Sequence, residues 1–362
     1  MSQLKKGAIL SYINIALTNL IGLLLTPFII EKLGDSEYGL YTLVGSLVAY
    51  FSLMDLGINN TITRFIAKYR AEKDIINEKK FLGAIFIVYF FVSLMIVLFG
   101  IILYSNLEYF FKFSLNGSEL EKAKIMFLIL IFNIFITLIG GAFTAICNAY
   151  EQFVFPRIIT FFKYTLRAFL IYMILIHGGK AISLVIIDTI LNLLLVLVVL
   201  FFVAKKINVH ITFKALEKDL FKKIFTYSIW IFLLAIIGQF FWNTGQIVLG
   251  FKTNTTLIAI YGLGITLGGY YGGFAGAINS VFLPKATQMV LLNTNDDLVK
   301  EMIKISRLLL VVLSYILFAF LLFGKEFVEL WVGEEYLDSW FVGAIIMVVY
   351  TIPLLQNFGH SI

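Results

Sequence analysis

Lys163 and Arg167 stand four residues apart in an otherwise apolar run, VFPRIITFFKYTLRAFLIYMILI. Four residues is about one helical turn, so the two cations share a face. Nine residues separate Arg167 from the end of the run at Ile176, which is ~14 Å at the ~1.5 Å rise of a helix. A charge that deep in a bilayer is costly, so it marks a ligand pathway, a relay or a paired group. Asp188, in the next apolar run, is the expected partner of Arg167. The turn near Gly178 lies eleven residues from Arg167 and ten from Asp188, which sets both charges at one depth. The pair reads either as a buried ion bridge or as part of a basic wall facing a polar cavity. Lys163 has no acidic residue at its own depth. A cation placed in such a cavity suits an anionic ligand, a lipid pyrophosphate or an acidic sugar.

Uncharged polar groups recur at helical spacing in three other runs. Asn14 and Thr18 align with Ser11, Gly22 and Thr26; Asn133 and Thr137 align with Gly141, Thr144 and Asn148; Gln239, Asn243 and Gln246 form the third set. Such stripes either line a wet cavity or let helix backbones approach closely. The third set points to a cavity, because two glutamines and an asparagine are expensive to face with lipid. Gly268, Gly272 and Gly276 make a groove suited to close packing, with a bending helix as the alternative. The stretch DLGINNTITRFIAKYR carries Asp55, Asn60 and Arg64, candidates for a cavity wall or an ion pair. Its Ile58, Ile62, Phe65 and Tyr69 share one face, so it reads as an amphipathic helix lying on headgroups.

Several chemistries find no constellation. Cys147 is the single cysteine, and His177, His210 and His360 are scattered, so neither a disulfide nor a metal centre is expected. No phosphate-binding glycine loop, paired outer carboxylates or Ser–His–Asp set is present, which argues against an enzyme and against a bound cofactor. Glu334, Glu335 and Asp338 read as a solvated rim.

The elements that must carry these residues are long. Of 362 residues 60% are hydrophobic and 14% charged, and the mean hydropathy is +0.96. Ten apolar stretches span 7–30, 38–56, 81–104, 125–149, 154–176, 181–203, 224–249, 256–282, 305–323 and 340–362. A bilayer core of ~30 Å takes ~20 apolar residues as a helix. Within it every backbone N–H and C=O must be satisfied internally, so the stretches are helices. The first lacks a small-residue cleavage site and reads as a retained span. The net charge of +6 has a topological meaning and does not call for nucleic acid. With the N-terminus in the cytoplasm, 17 lysines and arginines fall in inner loops and 7 in outer ones. The basic connection 204–223 separates a six-helix unit, 1–203, from a second unit, 224–362. Six crossings return the chain to its starting side, so both units enter in the same direction, as in a parallel repeat. SEYGLYTLVGSL and IAIYGLGITLGG are a faint echo of one another.

In this order, DLGINNTITRFIAKY after the second stretch, NAYEQFVFPR after the fourth and LWVGEEY before the tenth resemble the oligosaccharide flippases, or O-antigen translocases, of the multidrug/oligosaccharidyl-lipid/polysaccharide (MOP) superfamily. Asp55, Gly57, Asn60 and Arg64 match that family's pattern. The resemblance implies an all-α, polytopic, two-lobed bundle like that of the MATE exporters, with a central cavity. It implies export of undecaprenyl-pyrophosphate-linked oligosaccharide for O-antigen, capsule or exopolysaccharide by alternating access in the bacterial plasma membrane. It also implies H+ or Na+ as coupling ion, and a polysaccharide polymerase and a chain-length regulator as partners. Lys163 and Arg167 would then face the anionic headgroup. Family members have twelve to fourteen helices, so a chain that stops in its tenth is expected to hold an incomplete second lobe. Two alternatives remain open. A cation-coupled drug exporter would rely on Asp55 or Asp188. A membrane-embedded polymerase or transferase would need a large outer loop, whereas the longest here is 105–124.

Overall fold

The computed structural model describes residues 3–207, 209–213, 218–292 and 295–360. Eleven α-helices follow one another: α1 Gln3–Leu33, α2 Asp35–Phe51, α3 Ile58–Ala71, α4 Ile75–Phe111, α5 Gly117–Ala149, α6 Val154–Ile176, α7 Ala181–Phe202, α8 Lys218–Lys252, α9 Thr255–Leu292, α10 Asn295–Val332 and α11 Asp338–His360. There is no strand among the described residues. Among the described residues ten helical segments are long and apolar enough to cross a bilayer, α2 and α3 counting as one. Large apolar side chains such as Leu24, Phe90, Leu234 and Leu322 point outward, at 67–71% exposure. A water-soluble protein would not display such a belt; a lipid-facing one must. The chain is a multi-pass membrane protein. Its helices alternate direction between the face holding the N-terminus, called here the N-face, and the opposite face.

Two apolar cores hold the bundle. One joins α2, α3, α4 and α5 to parts of α7 and α8 through side chains such as Ile58, Phe81, Phe127 and Ile224. The other joins the ends of α1 and α6 to α7, α9, α10 and α11 through Ile171, Leu184, Leu263 and Leu309. In α9, Gly264, Gly268 and Gly272 repeat every four residues. A Cβ at each would strike Val342, Ile346 and Tyr350 of α11 at 2.4–2.7 Å. This is a ridge of side chains set into a glycine groove, the close-packing role expected of Gly268 and Gly272, whereas a Cβ at Gly276, the third glycine of the expected stripe, would meet nothing within 4 Å.

Sequence reasoning laid 55–70 on the membrane surface, and the structure corrects this. A short 3-10 turn, Ser52–Asp55, ends α2, and Leu56 (φ 52°) and Gly57 (φ 69°) then take left-handed conformations. Two such residues redirect the chain inward, so α3 packs on α4 and α5. Ile58, Ile62 and Ile66 are fully buried. The amphipathic pattern was real, but its apolar face meets protein instead of lipid.

Pro27 lies within α1 and has no N–H to offer the Leu23 carbonyl one turn back. The indole Nε1 of Trp331, at the end of α10, donates to that carbonyl at 2.8 Å. A defect in one helix is thereby satisfied by another that is 308 residues distant in the chain.

Candidate functional site

Four helices, α3, α5, α6 and α7, turn their polar faces toward one another, and α2 closes the side. α5 contributes Asn133, Thr137, Gly141, Thr144 and Asn148 from one face, as its spacing foretold. α6 contributes Lys163 and Arg167. α7 contributes Asp188 and, four residues on, Asn192. Two cavities result. The first, of about 320 Å³, is walled by Asn59, Asn60, Thr63, Thr137, Thr144 and Asn148 among others. The second, of about 380 Å³, is walled by Tyr41, Thr42, Asn133, Tyr164, Arg167 and Asp188 among others. Lys163 and Asn192 line both, so they form the seam. Each volume is at the lower end of the ~300–1,000 Å³ range of ligand sites.

The two cations at this seam differ. Arg167 grips Asp188 with a fork, Nε to Oδ1 at 2.5 Å and Nη2 to Oδ2 at 2.9 Å. Its side chain is 24% exposed and that of Asp188 21%. The hydroxyl of Tyr41 stands 3.5 Å from the same guanidinium. The matching depth read from the helix hairpin is what brings this pair together. Lys163 donates instead to the Asn192 side-chain carbonyl at 2.5 Å, and Asn192 donates on to Asn133 at 2.8 Å. Among the described residues no carboxylate lies within 4 Å of the Lys163 ammonium. Its charge is held in place by amides and is not neutralised by a partner in contact.

Other expected site residues fall elsewhere. Asp55 accepts from Asn59 at 2.8 Å and from Tyr89 at 3.3 Å. Arg64 lies over the Tyr227 ring at 4.4 Å. Neither makes an ion pair among the described residues. Asn60 faces the first cavity. Asn14 is buried against α6 and donates to the Arg157 carbonyl at 2.9 Å, while Thr18 bonds back to its own helix. That stripe makes a helix–helix contact and lines neither of the two cavities above. Gln239 donates to Ser52 at 3.2 Å and accepts from Asn243. Gln246 is buried and lies over Gly262 of α9. This third stripe joins α8 to α2 and α9 and lines neither of the two cavities.

Tyr41, Thr42, Asn59, Thr63, Tyr164 and Asn192 escaped sequence reasoning. Asn192 could have been found, since it stands at i+4 from Asp188 and so on the same face. Tyr41 carried no signal in a run of aromatic and aliphatic residues. Asn59 is aimed at the cavity only by the redirected α3, and its amide fills the space a side chain at Gly141 would need, with a Cβ there 2.6 Å away.

On the face opposite the N-terminus the helix ends are tied together. Asn116 and Glu119 form a reciprocal cap at the start of α5, each bonding the other's backbone N–H at 2.9 Å. Glu119 also accepts from Ser36 of α2 and, at 3.2 Å, from Thr255 of α9. Tyr336 donates to Asp35, and Ser114 to the Gly250 carbonyl. Gly39 abuts the Thr255 backbone so closely that a Cβ would lie 2.0 Å from its carbonyl oxygen. On the side facing away from the N-terminus, these contacts tie the ends of α2, α5, α8, α9 and α10 to one another.

Residues 4–290 match the family described as "Polysaccharide biosynthesis protein". No curated protein sequence matches the chain. Among solved structures, it is similar to the Lipid II flippase MurJ in an inward closed conformation, with a TM-score of 0.67 and 17% identity over 98% of this chain and 74% of that one. It is similar to a MATE protein in complex with MaL6, with a TM-score of 0.65 and 14% identity over 99% of this chain and 83% of that one. A MOP superfamily transporter from Pyrococcus furiosus gives a TM-score of 0.60 and 13% identity, again over 99% and 83%. At these identities the likeness is one of fold, and that fold is the one shared by MATE and MurJ.

Proposed function

The chain belongs to the polysaccharide biosynthesis protein family, and from that premise we propose that it moves a polyprenyl-pyrophosphate-linked oligosaccharide across the bacterial plasma membrane by alternating access. The observation that carries this reading is Lys163, a cation with no carboxylate partner in contact, held at the seam of two polar cavities inside an apolar bundle. Lys163 is part-buried, and such an ammonium recovers its lost hydration best from a multiply charged oxyanion. The pyrophosphate of a lipid-linked sugar supplies one, and its hydrocarbon tail can remain in the bilayer while the polar part crosses between helices. The MurJ relative is itself named a Lipid II flippase. In this reading residues 1–203 and 224–362 act as two lobes, the basic loops face the cytoplasm, and the face with the tied helix ends is the outer one.

Drug export driven by a cation is less well supported. It needs an intramembrane carboxylate to hold the cation, and both candidates are engaged. Asp188 is taken by Arg167, and Asp55 by Asn59 and Tyr89.

The test is leaflet accessibility of lipid-linked oligosaccharide in cells whose export depends on this gene. Lys163→Ala is expected to leave the oligosaccharide on the inner leaflet with the protein still present at normal levels. Undiminished export by that variant would remove the reading.

A further inference from the structure

The first cavity holds an arrangement that the capture of pyrophosphate leaves unexplained. Among the described residues its wall carries no carboxylate, and Lys163 is its only cation. The side-chain amides of Asn60 and Asn148 line it, and among the described residues neither has a hydrogen-bond partner. The hydroxyls of Thr63, Thr137 and Thr144 donate back to carbonyls of their own helices at 2.9–3.3 Å. Their protons are thereby spent and their lone pairs remain as acceptors. The chamber thus presents two open amides, each able to donate and accept, and three hydroxyl oxygens that accept.

Asn60 is exposed and Asn148 half-buried, so water can complete both amides, and a ligand that displaces it must offer the same pairing. Their complement is a ligand dense in neutral hydroxyl and amide groups. Sugar hydroxyls donate to the threonine oxygens and accept from the amide N–H groups, and an acetamido group pairs with an amide in both directions. A second anion in this chamber would find only Lys163, which sits at the seam already assigned to phosphate.

We infer that this chamber is a binding subsite for an uncharged sugar, the one joined directly to the pyrophosphate held at Lys163, with Asn60 and Asn148 as its specificity-determining residues. This rests on the lipid-linked reading above and adds a selectivity to it. The geometry agrees with the covalent order of such a ligand. Lys163 and Asn192 border both cavities, so phosphate at the seam places the attached sugar at the chamber's mouth.

The experiment uses the full chain purified in detergent micelles and three short-chain prenyl pyrophosphate probes. One is bare, one carries an N-acetylhexosamine and one carries a hexuronic acid. The wild-type protein is expected to bind the N-acetylhexosamine probe ~10-fold more tightly than the bare one, a ratio that one or two well-made hydrogen bonds supply. The hexuronic acid probe is expected to gain nothing over the bare one. Asn60→Ala and Asn148→Ala should erase the ~10-fold advantage and leave the bare probe's affinity unchanged. Asn148→Gln, which keeps an amide, should retain part of it. Lys163→Met should weaken all three probes. Equal wild-type binding of bare and N-acetylhexosamine probes, or a preference for the hexuronic acid, would overturn the subsite while a Lys163-dependent bare probe upheld the transport reading. Binding of all three that ignores Lys163→Met, or no binding at all, would overturn both. Since the wild-type comparison needs no variant, misfolding of one cannot shield the inference.

Discussion

Replacing Arg167 by methionine would leave the Asp188 carboxylate, about four-fifths buried on the wall of the second cavity, without its counter-charge. Breaking such a pair from one side costs ~3–5 kcal/mol, whereas replacing both members by apolar residues is often neutral. Arg167→Met is therefore expected to lower the melting temperature in detergent sharply, and Arg167→Met with Asp188→Met to recover most of the loss. A double variant no more stable than the single one would contradict the bidentate pair. Lys163→Met should behave in the opposite way, with stability unchanged or raised and ligand binding lost, because this cation has been desolvated without an ionic partner in contact. The two neighbouring cations thus have separable roles, structural for Arg167 and ligand-facing for Lys163. Their spacing on one helix made both visible in the sequence. The division between them depends on Asp188 and Asn192, both supplied by α7.

Among the elements, α3 and α1 make the sharpest claims. Ile62 is wholly buried under α3, so Ile62→Ala should cost ~2–5 kcal/mol. A helix lying on headgroups would lose only about 0.5 kcal/mol on such a change, so a small shift in the melting midpoint would restore the surface placement. In α1 the contact of Trp331 with the Leu23 carbonyl exists because Pro27 cannot donate. Trp331→Phe should cost ~1 kcal/mol by stranding a part-buried acceptor. Pro27→Ala supplies the missing N–H, so in that background Trp331→Phe should cost measurably less. Additive losses in a double-mutant cycle would show that the indole serves only to fill space. The apolar face of α3 and the proline of α1 are legible in the sequence. What each one meets is not, since Trp331 lies more than 300 residues beyond Leu23.

At the scale of the whole molecule, the tie across the face opposite the N-terminus predicts a conformational bias. Glu119 binds α2 to α9 through Ser36 and Thr255, and Tyr336 binds the α10–α11 turn to Asp35. Each lost bond of ~0.5–1.5 kcal/mol moves a two-state equilibrium by about 2- to 10-fold. A reporter cysteine at Thr42, on the wall of the second cavity, should react slowly with a membrane-impermeant maleimide added from that side. Combining it with Glu119→Ala or Tyr336→Phe should speed the reaction by a comparable factor. An unchanged rate would mean that these bonds cap helices without closing a path. Cys147 is fully buried and should not interfere.

Run length and hydropathy determined by themselves that this chain is a helical membrane protein, because no other backbone arrangement of such apolar stretches satisfies its own polar groups in lipid. The same local periodicity determined which residues share a face, and so placed Lys163 with Arg167 and Asn133 with Thr137. Only the tertiary structure decided which face meets which. Stripes of equal polarity on α1, α5 and α8 became a packing contact, a cavity wall and an interhelical tie. Polarity fixes the cost of exposing a group to lipid. The partner that relieves the cost is chosen by helix positions that no local pattern encodes.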